Sequence, residues 1–567
     1  MAINICKENK LYGFTLIELL AVILILGIIA LIAISTVNNV LDEARQRSLS
    51  ATINSVEKAV SSECEVELLK EKDFTNKYTI TDGVISPKLD IKGNLPKNGF
   101  IEVSSKCEVK IYAHDGKYCA NKNSIIFNID KQEKNDCIPV VPNDNCFYFS
   151  NGVITNYKDS CPKSIIIPDT INEEKVIEIA SNAFSKNDLT NVTIPLTVTK
   201  IGSYAFQLNK LNNIIIPSSV QHIGAFAFFK NKLKVIKVPD LMNNIESGAF
   251  NNNQLPDDQA FIYARNADGT VNKSTIVSYA GGKKENVIIP NTVKNLKQDS
   301  FRSNDLESVV IPDSVIYINH YVFLNNKLTN IEIGKNVKLI AGGAFNDNLL
   351  PDDQAFIYAR NADGTVNKST IVSYGGAKKE NVIIPDGVST LASLSFIFAN
   401  VESIKFPASV KSIGSNAFRN NKLNTLTIPN TVTYIAPLAF NDNLLPDDQA
   451  FIYARNADGT VNKSTIVSYG GSNRQNVTIP DNVVTIGDSA FYGTSLWNIT
   501  IPSSVETIGA EAFVWGYLKS ITIPASVKSI GNWAFGGNSI TTINMPGRTF
   551  NDLGTDWYTG RPTFNFD

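Results

Sequence analysis

Thirteen phenylalanines spaced by 22 or 51 residues, and by nothing else, constrain this chain more than any other feature. They are Phe184, Phe206, Phe228, Phe250, Phe301, Phe323, Phe345, Phe396, Phe418, Phe440, Phe491, Phe513 and Phe535. The longer spacing is the shorter one plus an insert of 29 residues. The surrounding pattern is roughly I-P-x-x-V-x-x-I-G-x-x-A-F-x-x-N-x-L-x-x-I-x-I-P. A short fixed period implies a solenoid, in which each repeat buries its apolar face on its neighbours. The I-x-I-P segment predicts a short strand ended by its proline. The phenylalanine is expected at the opposite turn, stacked on that of the next coil. Parallel strands lie ~4.8 Å apart, so about 13 coils predict an arm of about 60 Å.

Asparagine falls three residues after most of these rings: Asn187, Asn209, Asn231, Asn253, Asn304, Asn326, Asn348, Asn421, Asn443 and Asn538. Its amide is suited to satisfying buried backbone groups at a tight turn. Ala399, Thr494 and Gly516 replace it, and local loosening is expected there.

The inserts are near copies of one another. Residues 346–376 and 441–471 both read NDNLLPDDQAFIYARNADGTVNKSTIVSYGG, about 251–282 is nearly the same, and the three recur every 95 residues. AFIYAR and STIVSY read as strands around a NADG turn. Three β-hairpins are thus expected to project from one edge of the solenoid, as ligand-contacting fingers or as a neutral expansion by duplication. Asp257, Asp258 and Asp268, with their copies, are candidate calcium ligands, but such residues are more often solvated turn positions. Residues 547–567 break the period, carry Trp557 and Tyr558, and are expected to cap the last coil. Over about residues 146–546 the pattern resembles the BspA-like leucine-rich repeat family of bacterial surface proteins. The resemblance implies a β-rich solenoid used for binding.

The front of the chain poses a different problem. From Phe14 to Ile34 the sequence is apolar except for one charge, Glu18. A helix of that length spans about 30 Å, a bilayer core. A carboxylate within it costs at least about 2.5 kcal/mol. A secretory signal has its small-residue site after the apolar run, whereas Gly13 stands before it, behind Lys7 and Lys10. These lysines place residues 1–13 in the cytoplasm. The stretch G-F-T-L-I-E-L-L resembles the type IV pilin and pseudopilin N-terminus. The resemblance implies a leader of residues 1–13, cleavage by prepilin peptidase between Gly13 and Phe14, and N-methylation of Phe14. It also implies that Glu18 pairs with the Phe14 amine of a neighbouring subunit during assembly. Opposite charges in a low-dielectric core attract, and each is costly alone, so Glu18 would act as a registry device. Snorkelling, pairing with another helix and service in a plain anchor are its other readings. Ser35 stands where many pilins have proline, so no kink is implied there.

A helix is expected over 14–69, with 14–34 transmembrane. Residues 36–69 lack Gly and Pro and carry Val37, Val40, Leu41, Ala44, Leu49, Ile53, Val56 and Val60 at helical spacing. A small head over 70–145 is expected from the strand-like segments YTI, GFIEVSS, CEVKIYA and SIIFNI. The multi-domain architecture is therefore a long helix with a small α+β head, then the repeat solenoid. Cys6 precedes the apolar run, while Cys64, Cys107, Cys119, Cys137, Cys146 and Cys161 cluster beyond it. That placement indicates an oxidising, extracytoplasmic location with up to three disulfides. Cys146 with Cys161 is favoured, because they flank the hairpin-like CFYFSNGVITNYKDSC. Cys107 with Cys119 is a second candidate, and the remaining pairing stays open.

A net charge of −2 argues against a nucleic-acid partner. With three histidines and no G-x-S-x-G, H-E-x-x-H, P-loop or dinucleotide loop, neither an enzyme nor a cofactor or metal is expected. The reading is a minor type IV pilin-like surface protein that presents its repeat arm for adhesion or protein binding. Its expected partners are other pilin subunits, prepilin peptidase, the cytoplasmic membrane and a host or surface protein ligand. It would be a single-pass protein of the cytoplasmic membrane before assembly, and of the cell surface or pilus afterwards. The alternatives are a pseudopilin of a secretion or DNA-uptake system and a membrane-anchored binding module. Intact-mass spectrometry of the chain extracted from membranes is expected to show loss of residues 1–13 and one added methyl group. Retention of those residues, or cleavage after the apolar run, would count against the leader.

Overall fold

The structure, a computed structural model, describes residues 142–547 almost throughout. It also describes a helical stretch at 51–64, six strands between residues 76 and 128, and parts of 556–566. The apolar run of residues 14–34, including Phe14 and Glu18, lies outside the described residues, as do Gly13, Cys6, Cys107 and Cys137. Among the described residues no helix is long and apolar enough to cross a membrane. The contacts divide the chain into two units. The first is residues 1–141 with 162–166 and 191–193, and the second is the remainder.

In the first unit the helical stretch buries Ile53, Val56, Val60 and Cys64 completely. Their spacing of three and four places them on one stripe. The sheet comprises β1 (Asn76–Thr81), β2 (Val84–Ser86), β3 (Asn98–Val103), β4 (Val109–His114), β5 (Tyr118–Asn121) and β6 (Ile126–Asn128). Its order is β2-β1-β3-β4-β5-β6, antiparallel throughout. Ile80, Ile101 and Ile111 are buried, with Ile101 paired directly to Ile111. A stripe on a helix and one face on a sheet are the apolar surfaces that an α+β layer buries. The sequence indicated four of these strands. β2 and β5 are short, of 3 and 4 residues, and carry little periodicity to recognise. Cys64 is disulfide-bonded.

The second unit is the solenoid. Each regular coil contributes to two parallel ladders. One is built from two-residue strands such as Glu178–Ile179, Lys200–Ile201, His222–Ile223 and Asn244–Ile245, in register at every 22 residues. The other is built from the I-x-I-P segments, as where Asn213–Ile215 pairs with Val235–Lys237. A proline lacks the N–H that a longer strand needs, so this ladder stays short. Between the ladders the phenylalanines form a column. Phe184, Phe206, Phe228 and Phe250 lie 5.0, 5.2 and 5.2 Å apart, centroid to centroid, with nearly parallel rings. All four are completely buried. Burying each ring contributes roughly 1.5–3 kcal/mol, and a stacked aromatic pair about 0.5–1.5 kcal/mol beyond that.

The asparagines hold the turns behind the rings. The Asn326 amide donates to the carbonyls of Phe301 (2.9 Å) and Phe323 (3.0 Å). Its oxygen accepts from the N–H groups of Asn304 and Leu306, both at 3.0 Å. One side chain thus satisfies buried backbone of two successive coils. Asn209, Asn231, Asn253, Asn348, Asn421, Asn443 and Asn538 likewise donate to the phenylalanine carbonyls of their own and the preceding coil.

The loosening expected at the three exceptions is corrected by this geometry. Ala399 and Thr494 sit in coils that directly follow an insert, and both are buried. The coil after the first insert keeps its asparagine: Asn304 is buried and its oxygen accepts from Asn252 N at 2.6 Å. The Thr494 hydroxyl serves its own coil by donating to Phe491 O at 2.7 Å. At Gly516 a Cβ would stand 2.6 Å from the Asn538 oxygen, so glycine permits the close approach.

The solenoid ends are closed differently. At the front, Phe147–Ser150 and Val153–Tyr157 form a hairpin joined by the Cys146–Cys161 disulfide. At the back, Thr563–Asn565 adds a parallel strand to Thr542–Asn544, and buried Trp557 meets Phe535 edge-on at 5.9 Å. Substituting Phe323→Ala should cost about 3–5 kcal/mol, read from the denaturant midpoint. Asn326→Ala should cost at least about 2 kcal/mol, because it strands two carbonyls and two N–H groups.

Candidate binding surface

The inserts are where this solenoid departs from a plain one. In the middle copy Phe356–Arg360 runs antiparallel to Val366–Tyr374, with a register shift at Ile357–Ala359. The second strand then joins the main ladder, as Thr370 and Ile371 pair in parallel with Thr390 and Leu391. The other two copies repeat this arrangement. The expectation of hairpins that merely project is therefore corrected: half of each hairpin is a rung of the solenoid. The reason is Tyr374, which lies 22 residues before Phe396 and stacks on it at 5.1 Å. Tyr279 and Tyr469 stack on Phe301 and Phe491 at 5.3 and 5.0 Å. Each insert also lays a phenylalanine against its tyrosine: Phe261, Phe356 and Phe451, at 5.3, 5.1 and 5.3 Å.

The front hairpin has the same geometry. Phe147 lies 5.3 Å from Tyr157, which lies 5.2 Å from Phe184. Each insert thus has the form of the front cap, built into the middle of the arm. Apolar core clusters accordingly begin afresh at Ala260, Ala355 and Ala450.

A buried asparagine bridges each junction. Asn346, fully buried, donates to the carbonyls of Leu394 (3.1 Å) and Ile397 (2.7 Å), beyond the insert. Its oxygen accepts from Ser373 Oγ and Tyr374 N. Ser373 Oγ in turn accepts from Phe345 N at 2.8 Å. Asn251 and Asn441 do the same with Ser278 and Ser468. The signal was present in the sequence: asparagine directly follows the phenylalanine only at Asn251, Asn346 and Asn441, the three coils before an insert.

The candidate calcium ligands serve the turn. Asp268 accepts from Thr270 N (3.0 Å) and Thr270 Oγ1 (2.6 Å), and those bonds hold its carboxyl below the usual range. Asp363 and Asp458 repeat this with Thr365 and Thr460. Asp257 instead faces Lys283 at 3.9 Å, and Asp258 is exposed. Among the described residues no three His, Cys, Asp or Glu side chains are grouped to hold a metal ion.

One surface feature was missed. Trp497, Trp515, Tyr517 and Trp533 are each more than half exposed on the last coils, and Trp497 lies 5.4 Å from Tyr517. These positions fall outside the repeat consensus, so periodicity says nothing about them.

A stack of short parallel strands, with one buried ring per 22 residues, defines a leucine-rich repeat protein. The chain belongs to the BspA type leucine-rich repeat family, whose pattern matches residues 156–257, 276–351, 372–446 and 465–564. The matched segments resume at Ile276, Val372 and Thr465, within the second strand of each insert, where the structure returns to the ladder. A prokaryotic N-terminal methylation motif matches residues 9–34. Among solved structures, a leucine-rich repeat protein from Eubacterium ventriosum is 20% identical, covering 76% of this chain and 93% of its own, with a TM-score of 0.29. A leucine rich cell surface protein from Faecalibacterium prausnitzii is 21% identical, covering 78% and 96%, with a TM-score of 0.27. No curated protein matches the chain.

The 95-residue recurrence gives a direct test. Excising residues 351–445 joins Leu350 to Pro446, the same Leu-Pro junction that the native chain has at 350–351 and 445–446. The shortened chain is expected to stay folded, with a melting temperature within a few degrees of the parent. Asn346→Ala should lower stability by about 2–3 kcal/mol, because it leaves several buried groups without partners.

Proposed function

We propose that this chain is a minor type IV pilin-like protein, whose N-terminal segment enters a filament and whose repeat arm is displayed for adhesion or protein binding. The observation that carries the reading is the union, in one chain, of a methylation motif at 9–34 with a repeat region extending to residue 564. The Gly13–Phe14 junction and Glu18 supply the parts that filament entry requires: a processing point, a new terminal amine and a carboxylate to pair with it. The first unit supports the reading, because a helix with one buried stripe and an antiparallel sheet are the layers of a pilin head. The disulfides at Cys64 and at Cys146–Cys161 agree with an extracytoplasmic location. A solenoid offers an extended surface rather than a closed, water-excluding pocket, which favours binding over catalysis. A large arm on every subunit would crowd a filament, so a tip or sparse position follows.

The test is immunogold electron microscopy with antibody against the arm, on cells carrying the native chain or Glu18→Leu. Gold on filament ends or scattered along filaments is expected for the native chain, and its loss from filaments for the variant. Gold confined to the envelope in both would replace this reading with a pseudopilin or a simple anchor.

A further inference from the structure

Where an insert interrupts the arm, the I-x-I-P ladder stops. Asn330–Ile333 is the last strand of its three-stranded sheet, and Phe356–Arg360 is the edge strand of the next sheet. Between them lies a cavity of about 250 Å³, lined by Ile331, Ile333, Phe356, Tyr358, Arg360 and Val366. Its walls are mostly apolar, with Gln354 and Arg360 also lining it, and Val366 is 46% exposed. The Ile331 N–H, which a neighbouring strand would otherwise take, is met only by the Gln354 side-chain oxygen at 3.4 Å. An unpaired sheet edge is a template for another extended chain.

Arg360 gives the cleft its sign. Its Nε is buried without a hydrogen-bond partner, and it forms no ion pair among the described residues. Arg265 and Arg455 share the unpartnered Nε, but their terminal nitrogens are met. Arg265 reaches Pro239 O at 3.3 Å, and Arg455 reaches Gly459 O and Ile428 O at 3.3 and 3.5 Å. Gly334 occupies the middle copy at the position of Pro239 and Pro429. Burial lowers the Arg360 pKa, the direction expected of a cation without a counter-charge. A guanidinium in apolar surroundings is best satisfied by a carboxylate, which accepts its fork of N–H groups in pairs.

We propose that this cleft binds the carboxyl-terminal end of an extended peptide, with its carboxylate on Arg360 and an apolar side chain in the cavity. The chain end would lie along the Asn330–Ile333 edge, its backbone replacing the Gln354 side chain on Ile331. The inference rests on the arm being a protein-binding element and names what that element recognises.

The full chain in detergent micelles would be titrated, by calorimetry, with a short peptide ending in phenylalanine and with the same peptide ending in an amide. The free acid is expected to bind at least tenfold tighter than the amide. Arg360→Met should remove that preference, and Val366→Asp, at an exposed position, should weaken the acid at least tenfold with the melting temperature unchanged. Equal binding of acid and amide, no binding of either, or an acid preference that survives Arg360→Met would overturn the proposal. N-acetylphenylalanine binding as tightly as the peptide would overturn the peptide assignment in favour of a small carboxylate. Because the titration does not involve filaments, its failure would leave display on the pilus standing, and failure of filament entry would leave this site standing.

Discussion

A ring in each coil, and an amide behind most of them, form the interaction on which the arm depends. The column of phenylalanines supplies the apolar burial that no single coil has alone. The asparagine three residues later removes the cost of that burial for the backbone. A turn tight enough to aim a ring inward leaves carbonyls and N–H groups away from water, and an unmet one costs about 1–3 kcal/mol. Asn326 meets four of them, across two coils. Packing and hydrogen bonding are therefore coupled in register, and a coil cannot shift without losing both.

The inserts follow from the same constraint. An interruption of 29 residues would break the column unless it supplied a rung of its own. Tyr279, Tyr374 and Tyr469 supply it, and their hydroxyls donate to backbone carbonyls at 2.7–2.8 Å, so the polar end of each ring is also satisfied. The hairpin phenylalanine beside each tyrosine covers the column as Phe147 covers it at the front. The junction asparagines then join the coils on either side. The consequence is an arm made of successive capped cassettes, with sheet edges left open at the junctions. Those edges are the places where a solenoid of this kind can receive another chain.

The two ends of the chain address different physical problems. The N-terminal segment is governed by the expense of a charge in an apolar run, which favours pairing with a complementary charge. The repeat arm is governed by the need to bury rings without stranding backbone. Among the described residues, disulfides tie the helix-and-sheet unit at Cys64 and the front hairpin at Cys146–Cys161.

The sequence by itself determined the solenoid, its period, the rings that face inward and the asparagines behind them. A period of 22 leaves no other way to bury thirteen equivalent phenylalanines. The favoured Cys146–Cys161 pair was legible as well, because both cysteines flank one short hairpin. Tertiary structure alone decided what the inserts are. Tyr374 reads as an ordinary strand residue until the fold places its ring in the column, since a tyrosine need not look like a phenylalanine to fill its rung. The bulky residues at positive φ were equally hidden: Leu208, Phe226, Trp515 and Trp533 adopt φ of 54–61° beside the rings. Local preference alone would assign such backbone to glycine or asparagine, and only the stacking of neighbouring coils enforces it here. The cleft at Arg360 belongs to the same class, because its two walls come from strands whose proximity no local pattern encodes.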